Sequence, residues 1–377
     1  MKIVLSLDRL LDSLNIMSSV ITGKVTSSEI YSCILIETES EKIKLTASDG
    51  DITIISYLDA EIQEEGKLAI SAKRLIETLR ELENNELIIQ NEDEHNALII
   101  CGRGNYKIMG FDPELYPSHP EINEEFDVEI PVHIINRMVD KVAFAVANED
   151  PRPALNGIYW SISDRGFEMA ATDTHKLACI TYMGTISKSV TTEDDKVEAI
   201  IPPKTLKILN KFQKEEELSV NIKFLENHIL FQAAEFYILS TLIRGPYPEY
   251  QRAIPTTNDK IATIPTKEFL KTVRRASLFS SSITHMVKFV FNSDILLLNS
   301  KVLDTGEEAN EELPITYNGE QLEIGFNAEY IHTILKLIDS EKVLLKLNGP
   351  NAACVIVPEE QRENEDLIFV VMPLRFS

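Results

Sequence analysis

A single order of secondary-structure elements recurs three times along the chain, and this repetition limits the folds that the chain can adopt. Each round begins with a short strand, continues through a helix, several strands and a second helix, and ends with further strands. The rounds open at KIVLSL, FDVEIP and IATIP, which begin 124 and 135 residues apart, so the period averages about 130 residues. The layout predicts three similar α+β domains, each with two helices packed on antiparallel sheets of about eight strands. We place these domains at residues 1–125, 126–255 and 256–377.

The spacing of apolar residues predicts six helices, two in each round. They cover residues 8–21, 71–82, 132–147, 202–214, 266–279 and 327–338. Two of these segments also carry signals for a helix start. Ser71 is a favourable N-cap residue, and Pro202 and Pro203 stand in a first turn, where a missing amide hydrogen is not needed.

The fourth predicted helix has an apolar side and a purely cationic side. Leu206, Leu209 and Phe212 lie on the apolar side. At about 100° per residue, the lysines fall within one quadrant of the helix. They are Lys204, Lys207, Lys211 and Lys214. The fifth helix has the same layout, and the basic residues on its charged side are Lys267, Lys271, Arg274 and Arg275.

The positive charge of these helices contrasts with the rest of the protein, whose net charge is −23. The six helical segments with their flanking residues carry a net charge of +6, which leaves −29 for the remainder. If the helices line one concave surface, that surface could follow a phosphate backbone without reading base sequence. An ordinary solvated surface with lysine-rich helices is the alternative, and the charge pattern alone leaves it open.

The cysteines and the apolar segments indicate where the protein works. The four cysteines lie far apart and form no C-x-x-C pair: Cys33, Cys101, Cys179 and Cys354. This spacing favours buried free thiols in a reducing compartment. The N-terminus meets Asp8 and Arg9 before any long apolar run, and no stretch reaches the length of a membrane-spanning helix. We therefore expect a soluble cytoplasmic protein without a signal peptide or a membrane span.

No segment has the spacing of a known catalytic motif. The chain lacks the nucleophile-elbow and phosphate-loop patterns, and no histidine pair has the spacing of metal ligands. The one constellation that suggests chemistry is ATDTHKLA, in which Asp173 and His175 could serve as acid and base of a hydrolase or transferase. Because no nucleophile or metal ligand stands nearby in the sequence, a structural or binding loop is the favoured interpretation, and we expect no cofactor.

Four segments of the chain resemble segments of one family. ATDTHKLA is similar to the A-T-D-G-H-R-L-A segment of the bacterial DNA polymerase sliding clamp, the β subunit of DNA polymerase III. LTASDGDITI resembles the family's L-T-x-T-D-L-E strand, GPYPEYQRAIP its G-x-F-P-D-Y-x-R-V-L-P connection, and VVMPLR its terminal V-V-M-P-M-R. The resemblance extends over the whole chain, including its length and its three rounds. One departure is Thr174, which stands where the family has a glycine.

The resemblance implies a ring that is closed by a head-to-tail homodimer, with the helices of six domains lining the hole. Such a clamp encircles double-stranded DNA, has no catalytic activity, and confers processivity on a polymerase by tethering it. Its implied partners are the DNA polymerase III catalytic subunit, the clamp loader, and repair and mismatch factors, which bind through short apolar peptides. Two alternatives stay open: a specialised or non-DNA adaptor with the clamp fold, and the hydrolase or transferase described above.

The same resemblance, read residue by residue, implies three sets of functional positions. A partner-peptide pocket is implied at Leu155, Thr172, Thr174, His175, Lys176, Leu177, Pro248, Arg252, Val371, Met372, Pro373, Leu374 and Arg375. DNA contacts are implied at Lys24, Lys73, Arg80, Arg152 and Lys204, to which the charge of the helices adds Lys207, Lys211, Lys271 and Arg274. A dimer interface is implied between the pair Tyr106 and Ile108 and the pair Leu278 and Phe279.

Overall fold

The computed structural model of the protein describes residues 1–21, 29–83, 86–120, 126–188, 196–212, 218–302 and 305–375. Within these ranges it contains the six helices that the apolar spacing predicts. They are α1 (Leu7–Met17), α2 (Ala72–Arg80), α3 (Val132–Val142), α4 (Pro203–Leu209), α5 (Thr266–Ser277) and α6 (Ala328–Leu337). All six are shorter than predicted, and two of them continue into 3-10 turns, α3 at Ala143–Ala145 and α4 at Asn210–Phe212. Lys214 of the predicted lysine stripe lies outside the described residues.

The strands between these helices are short, as the sequence predicts. The first round has β1 (Lys2–Ser6), β2 (Cys33–Glu39), β3 (Lys42–Ser48), β4 (Ile52–Asp59), β5 (Glu61–Glu64), β6 (Lys67–Ser71), β7 (Glu86–Asn91), β8 (Ala97–Cys101), β9 (Gly104–Ile108) and β10 (Gly110–Phe111). The second has β11 (Val128–Pro131), β12 (Ile158–Ser163), β13 (Gly166–Thr172), β14 (Lys176–Tyr182), β15 (Ser187–Lys188), β16 (Val197–Ile201), β17 (Ser219–Phe224), β18 (His228–Ala233) and β19 (Phe236–Thr241). The third has β20 (Lys260–Pro265), β21 (Met286–Phe291), β22 (Ile295–Lys301), β23 (Glu308–Pro314), β24 (Thr316–Tyr317), β25 (Leu322–Asn327), β26 (Lys342–Leu347), β27 (Cys354–Pro358) and β28 (Glu365–Val371).

One pairing rule holds in all three rounds. The strand before the first helix pairs antiparallel with the strand after the second helix, which gives β1 with β7, β11 with β17, and β20 with β26. The strand before the second helix pairs with the strand after the first, which gives β6 with β2, β16 with β12, and β25 with β21. Each round therefore consists of two similar halves, and the strand before the helix of one half pairs with the strand after the helix of the other. The order of elements that repeats three times in the sequence is thus also a threefold repeat of topology.

Residue contacts divide the chain into two compact units. The first unit comprises Met1–Asn136, Ile186–Val190 and Lys204–Leu242, and the second comprises Arg137–Thr185, Thr191–Pro203 and Ile243–Ser377. The first unit has a five-stranded and a ten-stranded sheet, and the pairing of β4 with β19 joins the first two rounds. The second unit has a nine-stranded and a four-stranded sheet, and the pairing of β14 with β28 joins the last two rounds. The division between the units thus runs through the second round.

The helices bury their apolar sides and expose their charged sides. Leu206 and Leu209 of α4 are fully buried, and Phe212 packs edge-on against Phe236 with ring centroids 5.3 Å apart. In α5, Phe269 is fully buried and meets Phe289 at 6.2 Å in the same edge-on geometry. This packing of aromatic rings against the sheets orients the two helices, so that their basic residues lie on the solvent side.

The cysteine prediction is confirmed, because all four cysteines are buried free thiols. Burial raises the pKa of Cys33 to about 11, and it raises the pKa of Cys179 and Cys354 further still. These thiols therefore stay protonated and unreactive near neutral pH. In the parts of the chain that the structure describes, no helix combines the length and the apolar character needed to cross a membrane.

Candidate functional site

The second unit contains a groove of about 590 Å³ at which segments distant in sequence come together. It forms where the 3-10 helix Pro153–Asn156, the turn between β13 and β14, the connection after Gly245 and the end of β28 meet. The residues that line the groove are Arg152, Ala154, Leu155, Thr172, Thr174, His175, Lys176, Leu177, Pro246, Tyr247, Pro248, Glu249, Tyr250, Ala253, Val370 and Met372. A cleft of this size with a mostly apolar lining is typical of a ligand or peptide-anchor site.

Strand pairing explains the apolar floor of the groove. Leu177 in β14 and Val370 in β28 are register partners, and only 3% of each residue is exposed. Met372 follows directly after β28 and is 44% exposed, which gives the groove a flexible thioether that can adapt to different ligands. Because β14 belongs to the second round and β28 to the third, the floor depends on the sheet that these rounds share.

The turn between β13 and β14 is held by its own side chains. The Asp173 carboxylate accepts hydrogen bonds from the amides of His175 and Lys176, both at 2.9 Å. The Thr172 hydroxyl accepts from the Thr174 amide at 3.1 Å and donates to the Lys176 carbonyl at 2.7 Å. Thr174 has a φ of +75°, a left-handed conformation that a β-branched residue adopts only with strain. Threonine thus takes here the conformation that a glycine would adopt freely.

The Asp173 carboxylate is used entirely within this turn. Its second oxygen pairs with the Lys176 ammonium, which also lies 4.6 Å from the centroid of the Tyr330 ring. His175 is exposed, and across the described ranges no hydrogen bond joins its imidazole to Asp173. The two residues therefore do not form an acid–base pair, and the geometry gives no support to the interpretation of ATDTHKLA as a catalytic motif.

A second side of the groove is formed by residues 246–253, which we call the proline-rich wall. Tyr247 stacks on Tyr159 with ring centroids 5.1 Å apart, and the Tyr250 hydroxyl donates a hydrogen bond to Glu168. Burial raises the pKa of both Tyr247 and Tyr250, so each keeps its hydroxyl proton at neutral pH. The pocket residues predicted in GPYPEYQRAIP are only Pro248 and Arg252, although the tyrosines of that segment are a signal for an aromatic wall.

The structure brings together eight of the thirteen residues predicted for the peptide pocket. They are Leu155, Thr172, Thr174, His175, Lys176, Leu177, Pro248 and Met372. The other five do not line the groove: Arg252, Val371, Pro373, Leu374 and Arg375. Val371 is fully buried inside β28, and the Leu374 amide donates to the Gly325 carbonyl at 2.8 Å, which ties the chain end to β25. Those contacts reflect tertiary packing that a short terminal motif does not reveal.

Three cations at or beside the groove are each paired with a nearby carboxylate. The pairs are Arg152 with Asp150 at 2.9 Å, Lys176 with Asp173, and Arg252 with Glu249 at 2.5 Å. Hydrogen bonds from Arg152 lower the pKa of Asp150 to about 2, so this pair stays ionised over the whole physiological range. The groove therefore combines an apolar interior with little net charge at its edge.

Three residues predicted to contact DNA have exposed side chains on three different helices: Lys73 on α2, Lys207 on α4 and Lys271 on α5. We call the solvent-exposed sides of α2, α4 and α5, with their lysines and arginines, the basic helical faces. Arg152, also predicted to contact DNA, lies instead at the groove, paired as described. Lys24 lies outside the described residues.

The remaining predicted DNA contacts have partners on other segments of the protein, whereas Lys73, within the described residues, has only Glu77 of its own helix, at 3.9 Å. Arg80 donates to the Asn15 side chain at 2.8 Å, Lys204 pairs with Asp49, and Arg274 lies 3.5 Å from Glu329. Lys211 donates to the carbonyls of Asn15 at 2.7 Å and Ile16 at 3.2 Å, in the last turn of α1. Burial lowers the pKa of Lys211, and its position is that of a cation closing a helix C-terminus.

The residues predicted for a dimer interface differ in exposure. Tyr106 in β9 is 37% exposed, while Leu278 and Phe279, directly after α5, are 64% and 38% exposed. Ile108 is only 5% exposed, so it packs inside its own chain, and the neighbouring Met109 is 74% exposed instead. No three His, Cys, Asp or Glu side chains in the described ranges are grouped closely enough to hold a metal ion.

Comparison with known families matches the three rounds one after another. The family described as "DNA polymerase III beta subunit, N-terminal domain" matches residues 1–120. The central domain of the same subunit matches residues 129–249, and its C-terminal domain matches residues 251–375. Together the three matches span nearly the whole chain.

Curated relatives agree with these family matches over their full length. The beta sliding clamp of Pseudomonas aeruginosa is 26% identical over 369 residues, which cover 98% of both chains. The beta sliding clamp of Staphylococcus epidermidis is 25% identical over 384 residues, which cover 100% of this chain and 99% of the relative.

Solved structures share the fold described above. The DNA polymerase sliding clamp from Bacillus subtilis superposes with a TM-score of 0.91 at 25% identity, over 100% of both chains. A sliding clamp from Pseudomonas aeruginosa, solved bound to griselimycin, superposes with a TM-score of 0.90 at 25% identity, again over 100% of both chains.

Proposed function

The chain belongs to the DNA polymerase III β-subunit family and acts as a DNA sliding clamp. From this premise we propose which of its surfaces enclose DNA, form a dimer and bind partner peptides. A head-to-tail homodimer closes a ring around double-stranded DNA, and the basic helical faces line its hole. The groove of the second unit holds short apolar peptides of the proteins that the ring tethers. The protein itself carries out no reaction and works in the cytoplasm, where the DNA is.

The observation that carries this proposal is the threefold repeat of topology, matched round by round to the three domains of one subunit. We propose domain boundaries near those predicted from the sequence, at residues 1–125, 126–255 and 256–377. Each domain would contribute two helices to the hole, so a dimer of this chain would supply twelve.

Exposed apolar side chains near sheet edges support the proposed homodimer. β9 forms an edge of the five-stranded sheet, and β23 forms an edge of the four-stranded sheet. Uncovered edges with exposed apolar residues are typical of surfaces that pair with another chain. The apolar residues concerned are Tyr106 and Met109 in the first unit, and Leu278, Phe279 and Ile283 in the second. An isologous dimer uses such a pair of surfaces twice around its two-fold axis.

The net charge of −23 agrees with a ring that holds DNA by enclosing it. Tight electrostatic binding would slow sliding, whereas a few exposed cations can keep the duplex centred through contacts with phosphates that carry no sequence information. We propose that Lys73, Lys207 and Lys271 make such contacts. Arg80, Lys204 and Arg274 contribute more weakly, because each is held by a partner outside its own helix, whereas Lys73, in the part of the chain that the structure describes, has only Glu77 of its own helix at 3.9 Å.

The groove fits the binding of an apolar peptide anchor. Its floor is buried and apolar, its cations are paired, and Met372 lends it adaptability. Proteins that work on DNA could therefore compete for the one site by carrying similar short segments. We propose that the DNA polymerase III catalytic subunit, the clamp loader, and repair and mismatch factors are its users.

The test is the fluorescence anisotropy of a labelled Gln-Leu-x-Leu-Phe peptide titrated with the protein. A variant that ends at Val371 is the comparison, because it lacks Met372 while β28 stays complete. We expect saturable binding by the full chain with a Kd of about 1–10 μM, as is usual for a small apolar anchor, and no binding by the truncated variant. Thermal melting of both proteins checks that each is folded. A folded full-length protein that does not bind the peptide would contradict the proposed role of the groove.

A further inference from the structure

The proline-rich wall lacks the backbone support that the rest of the groove has. The floor lies on paired strands, and the turn between β13 and β14 is closed by its own hydrogen bonds. The wall contains Pro246 and Pro248, which have no amide hydrogen to donate. In the described part of the chain, the backbone bonds of residues 244–253 are local, such as Tyr250 to the Pro248 carbonyl at 2.7 Å and Arg252 to the Glu249 carbonyl at 3.1 Å. Side chains must therefore fix its position.

Two tyrosines supply that fixation. Tyr247 stacks on Tyr159 with an interplanar angle of 24°, and Tyr250 meets Tyr159 edge-on at 5.7 Å. Tyr250 is only 4% exposed, and its hydroxyl donates to the Glu168 carboxylate in β13. A hydroxyl that is buried without an acceptor is costly, so this bond defines where the Tyr250 ring can lie.

Glu168 is well placed to hold this hydroxyl, although it does not line the groove. Its other carboxylate oxygen accepts a hydrogen bond from the Thr181 hydroxyl in β14 at 3.4 Å, so both of its oxygens have partners. The strand β13 that carries Glu168 is paired on both sides, with β12 and with β14. The carboxylate is therefore attached to a rigid part of the nine-stranded sheet.

A second tyrosine–carboxylate pair nearby differs in one important respect. The Tyr159 hydroxyl donates to Glu198, but Tyr159 belongs to β12, whose backbone is held by β13 and β16. Tyr159 would stay in place without its carboxylate partner. Tyr250 belongs to the wall itself, so its partner is the one that matters for the shape of the groove.

We propose that Glu168 is a positioning residue of the groove, which acts through the Tyr250 hydroxyl to hold the proline-rich wall where an apolar peptide can bind. This inference rests on the proposed peptide-binding function. It deepens that function by assigning a role to a carboxylate that the peptide does not touch.

The test compares four variants of the full-length protein by two independent measurements. The variants are Glu168→Ala, Glu168→Gln, Tyr250→Phe, and the double variant of Glu168→Ala with Tyr250→Phe. Glu235→Ala is the matched control, since Glu235 is an exposed carboxylate in the turn between β18 and β19. The first measurement is amide hydrogen exchange of residues 246–253 in the free protein, and the second is the Kd of the labelled Gln-Leu-x-Leu-Phe peptide.

We expect Glu168→Ala to speed exchange in the wall, but not in the ten-stranded sheet, and to weaken peptide binding about tenfold. Tyr250→Phe should have a similar effect, and the double variant should be no worse than either single variant, because all three remove the same bond. Glu168→Gln keeps an acceptor oxygen and should recover most of the affinity. The control should match the unchanged protein.

The outcomes separate this inference from the function on which it rests. If the unchanged protein binds the peptide, and Glu168→Ala and Tyr250→Phe leave both exchange and affinity within about twofold, the positioning role is overturned while the groove keeps its function. If the unchanged protein does not bind the peptide but Glu168→Ala still speeds exchange in the wall, the link to the wall is supported and the peptide function is overturned. Faster exchange throughout the second unit would show a loss of folding, and it would overturn the specific role.

Discussion

The groove and the basic helical faces, to which we assign peptide binding and DNA binding, differ in how their side chains are held. In the groove, Leu177 and Val370 are fixed by strand pairing, and the neighbouring cations are neutralised by carboxylates within the same few residues. On the helices, Lys207 and Lys271 extend into solvent at the end of flexible side chains. The groove is thus defined by geometry over a few ångströms, whereas the helical faces are defined by charge that acts over about 10 Å.

This difference decides how each surface responds to change. An apolar anchor site depends on a few well-packed contacts, so one misplaced group can abolish binding. A cationic surface that touches phosphates shares its effect among several residues, so that the loss of one is tolerated. The two regions should therefore respond to different substitutions and to different solution conditions.

The largest effect is expected from a charge placed inside the groove. Met372→Asp would introduce a carboxylate next to the apolar floor, where a bound peptide would remove it from water. We expect peptide affinity to fall at least about thirtyfold, with little change in thermal stability since Met372 is 44% exposed.

Met183→Asp is the matched control for this substitution. Met183 is 55% exposed in the same unit but does not line the groove. Its substitution should leave the Kd of the peptide unchanged. Equal losses of affinity in the two variants would mean that the peptide binds elsewhere, and the contrast between the two surfaces would no longer stand.

A smaller effect is expected from reversing charge on the helices. The double variant of Lys207→Glu with Lys271→Glu should lower the fraction of protein retained on a linear duplex at low salt, where enclosure cannot hold it, about fivefold, because it removes two phosphate contacts and adds repulsion. Its peptide affinity should not change. The control is Lys42→Glu with Lys301→Glu, since both of these lysines are exposed and belong to strands.

The control pair should retain DNA as the unchanged protein does. If it lowers retention as much as the helix pair does, the effect comes from total charge rather than from the basic helical faces. If the helix pair also weakens the peptide, the two surfaces are not independent.

Salt should have little effect on the groove. Since Arg152, Lys176 and Arg252 are each paired within the protein, the peptide gains few new ion pairs. We expect its Kd to change by less than about twofold between low and high salt, as measured by anisotropy across a titration of NaCl. A steep loss of affinity with salt would show that these pairs open and that the cations contact the peptide directly.

The smallest effect is expected at Thr174. Its φ of +75° is strained for threonine, so Thr174→Gly should relieve that strain, although glycine loses more conformational freedom on folding. The net gain should be about 0.5 kcal/mol, seen as a rise of about 1–2 °C in the melting temperature. Peptide affinity should stay nearly constant, because the hydrogen bonds of the turn come from Thr172 and Asp173. A lower melting temperature would show that the threonine side chain contributes contacts of its own.

The same comparison explains what could be predicted from the sequence. Helix periodicity placed Lys204 and Lys207 on α4, because amphipathicity is a local property, whereas Lys211 lies in the 3-10 turn after α4 and Lys214 outside the described residues. It could not foresee that Lys204 pairs with Asp49 and that Lys211 closes the end of α1, since both partners come from another round of the chain. Of the three stripe lysines that the structure describes, Lys207 and Lys211 are both exposed, but Lys211 is tied to α1 by its hydrogen bonds.

The groove also shows that sequence patterns do not reveal contacts between distant parts of the chain. The ATDTHKLA and VVMPLR segments placed Leu177 and Met372 at one site, whereas the pairing of Leu177 with Val370 depends on a sheet shared by two rounds. Glu168 and Tyr250 stand 82 residues apart and meet only in the folded protein. Short motifs identify residues that contact a ligand, but the residues that support them are found only through tertiary structure.

The central claim is that the protein holds DNA by enclosing it, and one measurement tests this directly. The protein, loaded by the clamp loader of the same bacterium onto a nicked circular duplex, is separated from free protein by gel filtration before and after the circle is cut once. We predict that the protein stays with the circle and is lost when the circle becomes linear, at a salt concentration that weakens phosphate contacts. Equal retention on the circular and the linear duplex would contradict the account, because it would mean that charge rather than enclosure holds the protein on DNA.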